Sequence, residues 1–169
     1  MSEELFKELK KELKLAIVKH YKEIEEMFRG KDFYGYALYT SDDVSSIGAV
    51  ANTRDSIPVD ASDEMYIYYR YSPDEWSQWD DFEIFDTVNK IIKESYCLPN
   101  VEFSRVKSKI LSISLETMME LQREGLFGVK SNEKYLIIWV SDSDHSIMEI
   151  SAKELNTSKV YEDYAEEFE

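Results

Sequence analysis

At 169 residues, 43% hydrophobic and 14% aromatic, the chain is long enough to bury a core as one domain over 1–169 and too apolar for its body to be disordered. A net charge of −15 argues against direct binding to nucleic acid or anionic membrane, because each phosphate contact needs a cation that this surface lacks. No apolar run approaches the roughly 20 residues that span a bilayer.

The charged N-terminus MSEELFKELKKELK has no secretory apolar stretch, and the single Cys97 rules out an internal disulfide, so the chain reads as cytoplasmic. Charge is unevenly spread. Residues 31–100 carry 5 basic and 14 acidic groups, and residues 131–169 carry 3 and 10, whereas 1–30 balance. Such a field favours encounter with a basic protein; the plainer reading is that the acidity keeps the chain soluble.

In chain order, Ser2 is placed to cap a long helix from about Glu3 to Arg29. Leu5, Leu9, Leu13, Ile17, Tyr21, Ile24 and Phe28 form its apolar stripe, and Gly30 its left-handed exit. His20 beside that stripe reads as a packed boundary histidine. Phe33–Thr40 is apolar and aromatic nearly throughout, as a strand buried on both faces would be. Ser41-Asp42-Asp43 is turn chemistry, and Ile47–Thr53 returns as a second strand.

Met65–Tyr71, MYIYYRY, reads as a further strand with Tyr66 and Tyr68 on one face. Ser72-Pro73-Asp74-Glu75 has the form of a capping box with proline at the first helical position. It predicts a helix from Pro73, with Asp80-Asp81 as a kink or second start and Leu98-Pro99-Asn100 as its end. Val101–Glu124 is helical in pattern, stopped by Gly125. Tyr135–Val140 is a buried strand, and Ser146–Ile150 is expected to pair back on it. Ser151-Ala152-Lys153-Glu154 looks like another capping box, and the acidic tail from Val160 docks as a helix or frays. The expected fold is α+β: a mainly antiparallel sheet of about five strands, helices packed on it, and a long N-terminal helix.

Little in the chain points to a reaction centre. Five glycines form no phosphate-binding cluster, and His20, Cys97 and His145 are too scattered for a zinc site, so no cofactor or metal is expected. Cys97 reads as a packed thiol. Asp142, Asp144 and His145 read as a solvated turn, and Asp42-Asp43 as turn carboxylates. The remaining constellation is aromatic and acidic: Tyr66, Tyr68, Asp74, Glu75, Trp76, Trp79, Asp80 and Asp81. Tyrosine and tryptophan anchor interfaces with few torsions to freeze, and surrounding acid steers a basic partner. The alternative for Trp76 and Trp79 is an ordinary core at helical spacing.

The ordered segments FYGYALYT, SSIGAVANT, YRYSPDEW, LQREGLFG, LIIWVSDSD and KELN resemble the bacterial family described as domain of unknown function 4303, over about Phe33–Asn156. The resemblance implies no activity and carries no catalytic residue. It implies similarity in size and setting to small immunity proteins that bind and block toxins, including those of the Smi1/Knr4-like α+β superfamily. The functional expectation is a non-enzymatic binding protein that occludes a basic toxin domain. The alternatives are an enzyme using Asp or Glu and an acidic nucleic-acid mimic.

Overall fold

A computed structural model describes residues 2–79 and 83–169. Helix α1 runs Ser2–Met27 and buries Leu9, Leu13, Ile17, Tyr21 and Ile24 on the expected stripe. Gly30 leaves it at φ +78°, a conformation open to glycine without strain. Strands β1 (Phe33–Ser41) and β2 (Ile47–Thr53) form the predicted hairpin. Helices α2 (Tyr66–Tyr71), α3 (Asp86–Tyr96) and α4 (Phe103–Arg123), the two-residue strand β3 (Gln78–Trp79), strand β4 (Tyr135–Ser141), and helices α5 (Ile147–Leu155) and α6 (Ser158–Phe168) complete the order. The sheet has the order β3-β2-β1-β4.

The architecture is α+β with a long N-terminal helix, but the sheet is four-stranded and mixed rather than five-stranded and mainly antiparallel. β1 pairs antiparallel with β2 and parallel with β4, from Gly35↔Tyr135 to Ser41↔Ser141. Helices cover both faces of this parallel pair, which explains the unbroken apolar run Tyr135–Val140. Tyr36 faces α1, its ring 5.1 Å from Tyr21 and its hydroxyl 2.9 Å from His20 Nδ1. On the opposite face Tyr135 meets Tyr71, Trp76 and Tyr164.

Two local expectations fail for one tertiary reason. Tyr66–Tyr71 is a short helix, not a strand, because its last carbonyls find side-chain donors: Tyr34 Oη donates to Arg70 O at 2.7 Å and Tyr135 Oη to Tyr71 O at 3.1 Å. Arg70 lies over the rings of Tyr34, Tyr66 and Tyr71. Pro73–Glu75 forms one 3-10 turn, not the start of a long helix, and the Ser72 side chain makes no capping bond. Trp76 must leave the turn to enter the core, where it is 3% exposed, and the chain then extends so that Trp79 pairs with Val50.

Residues 147–155 are helical rather than strand-like. The Ser151–Glu154 pattern therefore lies inside α5, whereas Thr157 caps α6 by accepting from Val160 N–H. α5 lies along the outer edge of β4. Ile138 N–H donates to Ser151 Oγ at 3.0 Å. Asn156 copies a strand partner, taking Leu136 N–H at 2.8 Å and donating to Leu136 O at 2.7 Å. Asn89 of α3 treats Ile47 of β2 the same way, at 2.7 and 3.1 Å.

Gly35 has no side chain because the Trp76 ring occupies the space: a Cβ would lie 2.7 and 2.9 Å from two of its carbons. Gly35→Ala should therefore destabilise by about 1–3 kcal/mol, the usual range for overpacking. Denaturant titration checks this, and a double-mutant cycle with Trp76→Phe should show coupling between the two positions. Asn156→Ala strips both partners from a buried strand residue and should cost about 2–4 kcal/mol, since each orphaned group costs roughly 1–3 kcal/mol. Asn89→Ala should cost less, because Asn89 is only half-buried.

Candidate functional site

The carboxyl ends of β1 and β4 lie side by side at Ser41 and Ser141, and both strands run into acidic turns. Beside the β4 end is a cleft of about 430 Å³. Tyr68, Trp139, Tyr164 and Phe168 give it aromatic walls, and Asp74, Asp142, Asp144, Glu149 and Glu169 give it carboxylates; no lysine or arginine lines it. α2 supplies Tyr68, the 3-10 turn Asp74, and α6 Tyr164 and Phe168. The clefts of sheet proteins commonly form at strand ends of this kind, because the helices and loops diverge there.

The aromatic wall is a connected stack. Phe168 stacks on Tyr164 at 5.3 Å, meets Trp139 edge-on at 5.3 Å, and lies 6.2 Å from Tyr68. Several acids are held by phenols. Tyr39 Oη donates to Asp74 at 2.6 Å, Tyr68 Oη to Glu75 at 2.9 Å, Tyr161 Oη to Glu149 at 2.9 Å and Tyr164 Oη to Glu169 at 3.1 Å. Burial, followed by the Asp74 bond, pushes the Tyr39 phenol up to about 12, and the Glu75 bond raises that of Tyr68. Each phenol is thus kept protonated as a donor to a carboxylate.

Outside the cleft, the Tyr39 ring meets Trp79 edge-on at 4.7 Å. Trp79 is 41% exposed, so cleft and tryptophan form one continuous surface through Tyr39 and Asp74. His145 lines the cleft, and its Nδ1 accepts from Ile147 N–H at 3.1 Å. That bond engages the Nδ1 lone pair.

Of the residues singled out in the sequence, Tyr68, Asp74, Glu75 and Trp79 come together here. Trp76 is in the core. Tyr66 is half-buried on another side of α2, accepting from Arg70 Nη1 at 3.1 Å. Asp80 and Asp81 lie outside the described residues. Tyr39, Trp139, Tyr164, Phe168 and the turn Asp142–His145 were not grouped with the site. The available signal was that FYGYALYTSDD and LIIWVSDSD end alike, in a serine followed by aspartates, as two neighbouring parallel strands can.

A larger cleft of about 720 Å³ lies beyond the Ser41–Val44 turn, between the end of α3 and the start of α4. Tyr96, Cys97, Phe103, Lys93 and Lys107 line it. Cys97 is exposed there, not packed as expected, because α3 has ended and the chain is turning away from the core. Among the described residues no group of three or more His, Cys, Asp or Glu is placed to hold a metal ion, and no helix is long and apolar enough to cross a membrane.

Fold and site together define an α+β domain with an acidic, aromatic cleft at the end of a parallel strand pair. Residues 13–157 match the family model described as a domain of unknown function, DUF4303, and the chain belongs to that family. Comparison with curated proteins and with solved structures returns no match.

Burial raises the phenols of Tyr21, Tyr34, Tyr135 and Tyr164 as well as that of Tyr39. The folded chain therefore holds these protons more tightly than the unfolded chain, whose tyrosines ionise near their ordinary value of 10.0. The associated stability is fully present below that pH and is lost as pH rises toward the folded values. Denaturation midpoints should fall steadily above pH about 10, with tyrosinate absorbance appearing together with unfolding.

Proposed function

We propose that the protein is a non-enzymatic binding protein that engages a basic protein partner through this surface. The observation that supports the reading is the cleft itself: five carboxylates with no lysine or arginine among its lining residues, continuous with an exposed tryptophan. Acid focused in a concavity raises the encounter rate with a cationic partner, and exposed aromatic area holds it once docked. The physiological setting we propose is that of a cytoplasmic immunity protein, which blocks a basic toxin domain by covering its cationic active site.

Converging carboxylates beside a histidine are also what an Asp- or Glu-dependent enzyme would use. Three of the five carboxylates, Asp74, Glu149 and Glu169, are tied to phenols, which favours a fixed binding surface instead. A nucleic-acid mimic would need rows of acid at phosphate spacing, whereas these carboxylates surround a cleft.

The test is affinity capture from lysate of the native host with wild-type chain and with Trp79→Ala or Asp142→Lys. The wild type should retain a partner of basic isoelectric point, and retention should weaken with added salt. Each variant should reduce it at least about tenfold, the loss expected from removing an interface anchor. Failure to retain any basic partner, or retention indifferent to both substitutions, overturns the reading.

A further inference from the structure

Resting on the reading above, we propose that the cleft is an anchor pocket for a single arginine side chain of the partner. Among the described residues, Asp74, Glu149 and Glu169 already accept hydrogen bonds from phenols, but the carboxylates of Asp142 and Asp144 have no hydrogen-bond or ion-pair partner. Both are exposed on the same short turn at the mouth of the cleft. Two uncommitted carboxylates suit the planar fork of a guanidinium, which donates in two directions at once; an ammonium is a single compact charge.

The wall behind them points to the same group. Tyr68 and Phe168 are half-buried and present ring surface to the cleft, and Phe168 is braced by Tyr164 and Trp139. A guanidinium lies flat on such rings and is attracted by their electron-rich faces. No cation of the chain competes for the site, since neither lysine nor arginine lines it. Trp139, 7% exposed, backs this wall and places a ring against the cleft as a reporter of its occupancy.

Three capped tripeptides that differ only at the central residue test this: arginine, lysine and its neutral arginine isostere citrulline. Each is titrated into the full chain while the Trp139 indole N–H resonance and the backbone amides of 142–146 are followed by NMR. The arginine peptide should shift these signals with a Kd on the order of 1 mM, reasonable for one side chain. The citrulline peptide should leave them unmoved, and the lysine peptide should bind several-fold more weakly. Asp142→Asn combined with Asp144→Asn, both at exposed positions, should weaken arginine binding at least about tenfold while the rest of the spectrum stays native.

Equal response to arginine and citrulline, or to arginine and lysine, overturns the assignment, as does a response unchanged in the double variant. Silence toward all three peptides while the wild-type chain still captures a basic partner removes the anchor and leaves the binding surface standing. Peptide binding without partner capture does the reverse.

Discussion

The close approach of Trp76 to Gly35 fixes one whole side of this molecule. An indole cannot lie against a β-strand backbone unless the strand residue beneath it lacks a Cβ, and Gly35 meets that requirement in the middle of the sheet. With Trp76 held there against Tyr34 and Tyr135, the chain on either side has little freedom. Upstream, α2 must end within reach of the two tyrosine hydroxyls. Downstream, Trp79 must emerge at the sheet edge beside Val50. Tyr68, Asp74, Glu75 and Trp79 are carried to the surface by that geometry, and none of them needs to contribute to the core.

Tyrosine has a second role on this face. Tyr34 and Tyr135 fill the space between sheet and helices as apolar rings, and their hydroxyls terminate α2 by occupying carbonyls that a six-residue helix cannot satisfy itself. Each such bond contributes only about 1 kcal/mol net, but leaving the carbonyl buried and unpaired would cost more. Near the cleft the same residue type holds Asp74, Glu75, Glu149 and Glu169 in place. A chain with 12 tyrosines thus uses them as rings in the interior and as phenolic donors to carboxylates at the rim.

What could be read before folding was whatever depends on near neighbours in the chain. The stripe of α1, the β1–β2 hairpin, the stop at Gly125 and the buried character of β4 all follow from spacing over a few residues. MYIYYRY was misread because aromatic residues at both two- and three-residue spacing suit either element, and the deciding carbonyl partners sit on Tyr34 and Tyr135, far away in sequence. Ser72-Pro73-Asp74-Glu75 begins as a helix should, yet Trp76 is worth more in the core than in a second turn. Half of the site was legible as a cluster of acid and aromatic residues on 66–81. The other half needed the parallel pairing of β1 with β4, which joins Tyr39 to Trp139 and which no local pattern encodes.

The two asparagine clamps have a bearing on how the chain behaves among its own copies. An unpaired strand margin is a template on which a neighbouring molecule can lay its own backbone. Asn156 and Ser151 already fill the positions at Leu136 and Ile138 that such an intruder would use, and Asn89 does so at Ile47. The strands of β4 and β2 are thereby closed to recruitment at those points by a few atoms of side chain, and the molecule can crowd without its sheet becoming a seed.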